Sequence, residues 1–201
     1  MAGCILGGGT AVNAGLWWKV RVASPSPRDI ANKIQPNPID WDYNFPSAWN
    51  STAMAAATQR VFNVIPGTAH PSKDGLIYLL DGYDIVAQGL KNAGWTNVTA
   101  NSVPSEKNRT YSFTEYMYSN GERGGPLATY LVDAHSRPNF HMWMNTSVKR
   151  IVRNGGHATG LEVEATNNGG YAGTVNLTAI TGRVIVSAGT FGTSKLLFRS
   201  K

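Results

Sequence analysis

The sequence predicts a mixed α/β fold, because segments with helical spacing alternate with β-rich segments. Residues 183–188 (Arg-Val-Ile-Val-Ser-Ala) carry the strongest strand pattern, and they run into Gly189 and a helical pattern. Residues 51–64 have small and apolar side chains at helical spacing, and they predict a helix that Pro66 and Gly67 end. A strand, a glycine turn and a helix in succession are typical of doubly wound sheets, which present backbone N–H groups to a cofactor.

The other elements follow from local patterns. Residues 36–49 are rich in aromatic residues, proline and asparagine, and they predict an ordered loop rather than a helix. A helix is predicted over 84–91, with Gly94 as its stop. Aromatic residues within 111–118 suit either a sheet face or a sugar-facing wall. The remaining predictions are a helix over 127–135 and strands over 96–100, 111–118, 140–144, 146–152, 160–165 and 171–178.

A run of three glycines stands near the start of the chain. Gly7, Gly8 and Gly9 leave the backbone bare, so another molecule can approach its N–H groups closely. The small apolar run 11–16 follows, with the amide of Asn13 inside it. This pattern suits a cofactor edge held by backbone donors, and it equally suits a glycine-rich connector before a buried helix.

Two longer segments carry a family resemblance. Residues 3–13 (Gly-Cys-Ile-Leu-Gly-Gly-Gly-Thr-Ala-Val-Asn), followed by Trp17, resemble the first signature of the FAD-dependent GMC oxidoreductases. With residues 14–19 (Ala-Gly-Leu-Trp-Trp-Lys), the likeness is greatest to the flavodehydrogenase domains of fungal cellobiose dehydrogenases. Residues 187–200 resemble the second signature. The resemblance implies an FAD site lined by Gly8, Gly9, Thr10, Asn13, Ala14, Gly15, Leu16, Val148, Ala188 and Gly189.

The resemblance also implies which parts of the family's domain this chain holds. Residues 1–201 are expected to be a fragment of the FAD-binding, Rossmann-like domain with part of the sheet-containing substrate domain. The G-x-G-x-x-G fingerprint and the family's catalytic histidine have no counterpart in this sequence, so both are expected to lie outside it. We therefore assign no catalytic residue, and His141 is expected to be a strand residue. The isolated chain is expected to be inactive.

The activity that the resemblance implies is the oxidation of a sugar by an extracellular flavoenzyme. The expected substrate is cellobiose or a related oligosaccharide, oxidised at its anomeric carbon to the lactone by hydride transfer to the flavin. The expected electron acceptor is a haem domain, with the haem itself outside this chain. The alternatives are another GMC alcohol or sugar oxidase (aryl-alcohol, pyranose or glucose) and a non-enzymatic carbohydrate-binding module.

The first signature breaks after Lys19 and resumes at Pro36 if residues 20–35 are removed. The intervening segment has neither helical nor strand periodicity. It begins with valine and ends with glutamine, whose codons fit the GT and AG boundaries of an intron. Residues 20–35 are therefore interpreted as a retained intron or as a genuine surface insertion.

The composition is typical of a globular protein, and the N-glycosylation sequons lead us to expect secretion. The net charge of +6 is scattered, with no basic stripe for nucleic acid, no apolar run of membrane-spanning length and no metal-binding spacing. The single Cys4 forms no internal disulfide. Secretion is expected because the chain contains five N-glycosylation sequons, at Asn50, Asn97, Asn108, Asn145 and Asn176.

Overall fold

A computed structural model describes residues 5–19, 40–104, 106 and 108–201. The hypotheses about Cys4 and about residues 20–35 lie outside these described residues. The chain divides into two units, Met1–Arg137 and Pro138–Lys201, and each unit is described by itself. Among the described residues, no helix has both the length and the apolar character that crossing a membrane requires.

The first unit combines helices with very short strands. Strands β1 (Thr96–Asn97) and β2 (Thr110–Tyr111) pair in parallel, and β3 (Tyr118–Ser119) and β4 (Glu122–Arg123) form an antiparallel hairpin. In chain order its elements are a 3₁₀ helix Gly8–Ala11, α1 Asp40–Asn44, a 3₁₀ helix Ser47–Trp49, α2 Ser51–Val64, α3 Asp81–Asn92, β1 Thr96–Asn97, β2 Thr110–Tyr111, β3 Tyr118–Ser119, β4 Glu122–Arg123 and α4 Tyr130–His135.

The helices predicted from apolar spacing are confirmed. Helix α2 has the predicted bounds, and it is capped by Asn50, whose Oδ1 accepts a hydrogen bond from Ala53 N at 2.8 Å. Helix α3 begins at Asp81, three residues earlier than predicted, with two aspartates in its first turn, where they favour the helix dipole. Gly94 stands just beyond its end with φ +80°. Helix α4 is shorter than predicted, because turns occupy residues 126–129.

The prediction of a loop over 36–49 is wrong for residues 40–49, which are largely helical. Trp41 and Phe45 stand four residues apart, and their ring centroids lie 4.5 Å apart, which is the side-chain pairing that a helix provides. The carboxylate of Asp42 accepts hydrogen bonds from the backbone N–H and the hydroxyl of Ser51 at 2.7 and 2.9 Å. These local contacts outweigh the weak helix propensity of the segment.

Of the strands predicted over 96–100 and 111–118, only Thr96–Asn97, Tyr111 and Tyr118 lie in strands. The central residues of the second segment pair elsewhere, because Tyr116 forms isolated bridges with both Leu16 and Thr68. The aromatic residues of this segment do not form one sheet face. Phe113 contacts the ring of Tyr83, and Tyr116 contacts that of Tyr118.

The second unit is a three-stranded antiparallel sheet with one helix. The sheet order is β5-β6-β7, and helix α5 packs on β5. The predicted strands over 146–152, 160–165 and 171–178 and the helix after Gly189 are confirmed. Their bounds are β5 Thr146–Asn154, β6 His157–Ala165, β7 Gly173–Asn176 and α5 Gly189–Arg199.

A β-bulge changes which side chains of β5 are buried. Lys149 and Arg150 together stand opposite Glu162, so the register shifts by one residue. The predicted alternation of Val148, Arg150 and Val152 therefore fails. The buried residue of this strand is Ile151, at 9% exposure.

Two predicted strands are wrong. Residues 183–188 and 140–144, the latter including His141, are not strands, because neither segment pairs with another strand in the described part of the chain. Residues 183–188 keep alternating exposure, with Val184 and Val186 half-buried and Ile185 88% exposed.

Ser200 joins helix α5 to the sheet. Its side chain is buried, its Oγ accepts a hydrogen bond from Ile151 N at 2.8 Å, and its hydroxyl donates to Leu196 O at 2.7 Å. Ser194, in the same helix, is exposed and makes only the equivalent intrahelical bond, to Thr190 O at 2.9 Å. The two serines therefore differ mainly in the bond to β5.

We expect Ser200→Ala to lower the free energy of unfolding by about 1–3 kcal/mol, because the buried N–H of Ile151 loses its acceptor. Ser194→Ala is the matched control, and it should change that free energy by less than about 0.5 kcal/mol. Urea unfolding of both variants measures the difference. Equal midpoints for the two variants would contradict the role of Ser200.

Candidate functional site

The glycine-rich segment forms a tight turn and a short 3₁₀ helix. Gly7 and Gly8 adopt left-handed backbone angles, with φ of +88° and +60°. The turn closes through hydrogen bonds from Gly8 N to Ile5 O at 2.9 Å and from Asn13 N to Gly9 O at 2.9 Å. No buried helix follows, since residues 12–19 are not helical and Leu16 is 52% exposed. The alternative of a connector before a buried helix is therefore wrong.

Two of the glycines have an open backbone that the packing of the chain does not explain. A Cβ atom added at Gly8 or Gly9 would meet no atom within 4 Å. Gly15 differs, because a Cβ there would lie 2.6 Å from the Tyr118 ring and its φ is +75°. Gly15 therefore serves the fold, whereas Gly8 and Gly9 leave room for another molecule.

The side chains of this segment fix its shape. The Thr10 hydroxyl donates to Gly7 O at 2.7 Å, and Asn13 Oδ1 accepts from Gly15 N at 2.9 Å. Asn13 and Ala14 are exposed. The seven residues that the sequence assigns to this part of the site all lie within residues 8–16, and four of them are exposed.

Asn101 holds the end of the glycine-rich segment in place. Its Oδ1 accepts from Lys19 N at 2.7 Å, and its Nδ2 donates to Trp17 O at 2.9 Å. Its own backbone N donates to Oε2 of Glu115 at 2.8 Å, and both side chains are buried. Trp17 N also donates to Glu115 O at 2.9 Å. The segment is therefore anchored to two distant parts of the first unit.

The indole of Trp17 completes this anchor. Its Nε1 donates to Ile65 O at 2.7 Å, and its ring stacks on Phe62 with centroids 5.0 Å apart. Phe62 and Ile65 are buried, so the segment ends against the core of this unit.

We expect Asn101→Ala to lower the free energy of unfolding by about 2–3 kcal/mol, because the two part-buried hydrogen bonds of its side chain, to Lys19 N and Trp17 O, are lost. The exposed Asn63, which accepts one bond from Gln59 Nε2, provides the control variant Asn63→Ala. Chemical denaturation of both variants measures the effect. A loss no larger than that of the control would mean that the anchor is dispensable.

The second unit contains a pocket of about 560 Å³ between β5, residues 184–188 and helix α5. The pocket brings together Val148 and Ala188, two of the residues that the sequence assigns to the cofactor. Gly189 follows directly, with φ +76°, and a Cβ there would meet no atom within 4 Å. The lining residues are Ser147, Val148, Leu161, Val184, Ile185, Val186, Ser187, Ala188, Gly192, Lys195, Leu196 and Arg199.

The residues of helix α5 that line this pocket were not predicted from the sequence. Gly192, Lys195, Leu196 and Arg199 line it from α5. Their spacing of three and four residues places them on one helix face, which is the signal that would have identified them. Lys195 and Arg199 add two cations to a largely apolar lining, which suits an aromatic ligand with a negative charge.

A charged cluster lies on the neighbouring surface. Glu162 contacts Lys149 Nζ at 2.9 Å and Arg150 Nε at 2.7 Å. Hydrogen bonds from Lys149 and then Arg150 lower the pKa of the Glu162 carboxyl, and the same carboxylate raises the pKa of Lys149. These groups are solvent-exposed, so their pairing contributes little to stability.

Metal-binding geometry is absent from the described residues, which contain no group of three or more histidine, cysteine or acidic side chains able to share an ion. His70 Nδ1 lies 3.0 Å from Gly75 O. His135, His141 and His157 are exposed. No histidine in the described part of the chain belongs to such a metal-binding group.

Comparison with known families identifies the class of protein. Residues 37–201 match the N-terminal domain of the GMC oxidoreductases, so the chain belongs to the GMC oxidoreductase family. The predicted mixed α/β fold is confirmed. The matched domain is the one that binds FAD in this family, and the match begins after the glycine-rich segment.

A curated relative is the dehydrogenase eriK of Hericium erinaceus. The two proteins are 39% identical over 89 residues, which is 43% of this chain and 14% of that relative. The chain therefore matches only a small part of the relative's length.

Each unit, taken by itself, contains residues that suit part of an FAD molecule. In the first unit, the open space beside Gly8 and Gly9 leaves room for part of a cofactor close to the backbone, while the N–H of Gly8 is already bonded to Ile5 O. In the second unit, the apolar pocket with Lys195 and Arg199 suits a nucleotide.

Proposed function

We propose that this chain is the partial FAD-binding domain of a secreted dehydrogenase that oxidises cellobiose or a related oligosaccharide at the anomeric carbon to the lactone. The observation that carries the proposal is the open backbone at Gly8 and Gly9, within a segment that resembles the family's first signature. The family match and the similarity to a relative described as a dehydrogenase support it.

The cofactor and the chain have separate roles in this proposal. When bound, the flavin accepts the hydride that leaves the substrate carbon. The glycine-rich segment binds and orients it from the first unit, through backbone at Gly8 and Gly9 and through the shape that Thr10 and Asn13 impose. In the second unit, the resemblance assigns the backbone of Val148 to the adenine end of a cofactor, and it assigns Ala188 and Gly189 to cofactor binding without naming the part that they contact.

The remaining parts of the reaction lie outside this chain in our proposal. The histidine that takes the hydroxyl proton belongs to another segment of the protein, and electrons leave to a haem domain or a similar acceptor. Residues 20–35 interrupt the first signature, and in our proposal they are a retained intron or a surface insertion.

The second candidate is another GMC enzyme for an alcohol or a sugar (aryl alcohol, pyranose or glucose). Similarity to a dehydrogenase favours a dehydrogenase over an oxidase without naming the substrate.

A carbohydrate-binding module without flavin is the non-enzymatic candidate, which the exposed Trp18 and Trp49 favour. Binding of cellobiose with and without FAD distinguishes the two classes.

We expect the isolated 201-residue chain to retain no stoichiometric FAD and to leave cellobiose unoxidised, because the proposed base and the phosphate-binding fingerprint are outside it. The measurement is the flavin absorbance after gel filtration of the chain incubated with FAD. A stoichiometric flavin spectrum would contradict the expectation.

We expect Gly9→Val to weaken FAD binding by about tenfold or more in the protein expressed from its complete transcript, because the side chain enters the space left open for the cofactor. Gly82→Val is the matched control, since Gly82 is also helical and open, in α3. Flavin retained after ultrafiltration measures the affinity, and thermal unfolding of the apo forms checks the fold. If Gly9→Val retained as much flavin as the parent protein, the proposed contact between Gly9 and the cofactor would be wrong.

A further inference from the structure

An exposed aromatic surface lies directly before the sequon at Asn50. The rings of Phe45 and Trp49 stack with centroids 6.3 Å apart and an interplanar angle of 26°. Their exposures are 42% and 53%. We name these two rings the aromatic patch. Aromatic faces left open to water in this way are favourable contact surfaces for another group.

The amide of Asn50 is arranged so that only its oxygen is used by the fold. Oδ1 caps helix α2 by accepting from Ala53 N at 2.8 Å, and Asn50 is exposed. No described residue accepts a hydrogen bond from its Nδ2. An N-linked sugar is attached through Nδ2 and leaves the oxygen as an acceptor, so the cap and a glycan are compatible.

We propose that Asn50 carries an N-linked glycan whose first sugar packs on the aromatic patch. Trp49 is the preceding residue, so an exposed indole stands one position from the attachment point along the chain. The C–H face of a pyranose ring is apolar, and covering the patch with it removes apolar surface from water. The proposal rests on the secretion included in the proposed function.

The modification is a transfer without oxidation or reduction. A lipid-pyrophosphate-linked oligosaccharide is the donor. A bond forms between Asn50 Nδ2 and the anomeric carbon, while the bond from that carbon to the phosphate oxygen breaks. Nδ2 gives up one proton, and the lipid pyrophosphate leaves. Thr52 supplies the hydroxyl that the sequon requires, and it is exposed.

The other sequons lack this combination. Asn108 Nδ2 is buried and has no partner among the described residues, so a glycan there would displace packed atoms. Asn145 Nδ2 already donates to Asn168 O at 3.0 Å. Asn97 and Asn176 are exposed within strands β1 and β7.

Site-by-site mass spectrometry of the chain, secreted from a eukaryotic host behind an added leader, tests the modification. Asn50 is expected to be occupied and Asn108 unoccupied. An unmodified Asn50 overturns the proposal, whether the other sequons are occupied or not. Flavin is not needed for this readout, so failure of the proposed oxidoreductase function leaves the result interpretable.

Thr52→Ala tests the packing, because it removes the sequon and keeps the cap of Asn50. We expect Tm of the secreted variant to fall by roughly 2–4 °C relative to the secreted parent chain. The same substitution in bacterially expressed protein, which carries no glycan, is the control and should leave Tm unchanged. In a Trp49→Ala background, the fall in the secreted protein should disappear. A fall that persists without the indole overturns the packing, and so does an unchanged Tm in secreted Thr52→Ala.

Discussion

The hydrogen bonds of one buried amide, that of Asn101, hold the first unit together. Asn101 contacts the backbone of Trp17 and Lys19 through its side chain, and it contacts Glu115 through its own N–H. Asn101 and Trp17 are 84 positions apart in the sequence. Val12, Leu16 and Trp18 of the glycine-rich segment are more than half exposed, so its position depends on this buried polar connection and on the Trp17 indole.

The anchor and the open glycines divide the segment into two parts with different tasks. From Gly15 to Lys19 the chain pairs with neighbouring backbone, and a side chain at Gly15 would strike Tyr118. From Gly8 to Ala14 the chain contacts mainly itself. A rigid base below an open turn is the arrangement expected of a binding loop, since the loop is positioned without being filled.

The helices were predictable because their signals are local, whereas the strands depended on partners elsewhere in the chain. Helix α2 matches its predicted bounds because apolar spacing and the Asn50 cap act within a few residues. Residues 183–188 have the strongest strand composition and yet form no ladder among the described residues. Composition does not supply the neighbouring strand that a ladder requires.

The same distinction applies to the site. Val148 and Ala188 were assigned from a resemblance, and the structure places both in one pocket. Lys195 and Arg199 were missed because no motif singles them out and only their shared helix face joins them to the pocket. The bulge at Lys149 was not predictable, because it depends on pairing with β6 and no residue type within β5 indicates it.

That bulge has a consequence for how the sheet tolerates mutation. Consecutive side chains of a regular strand point to opposite faces, so one carboxylate could not meet both. With the extra residue, Lys149 and Arg150 both reach Glu162, and the loss of either cation leaves the acid with a partner. The bulge thus gives Glu162 two neighbouring cations on one face of the hairpin, which consecutive residues of a regular strand would not provide.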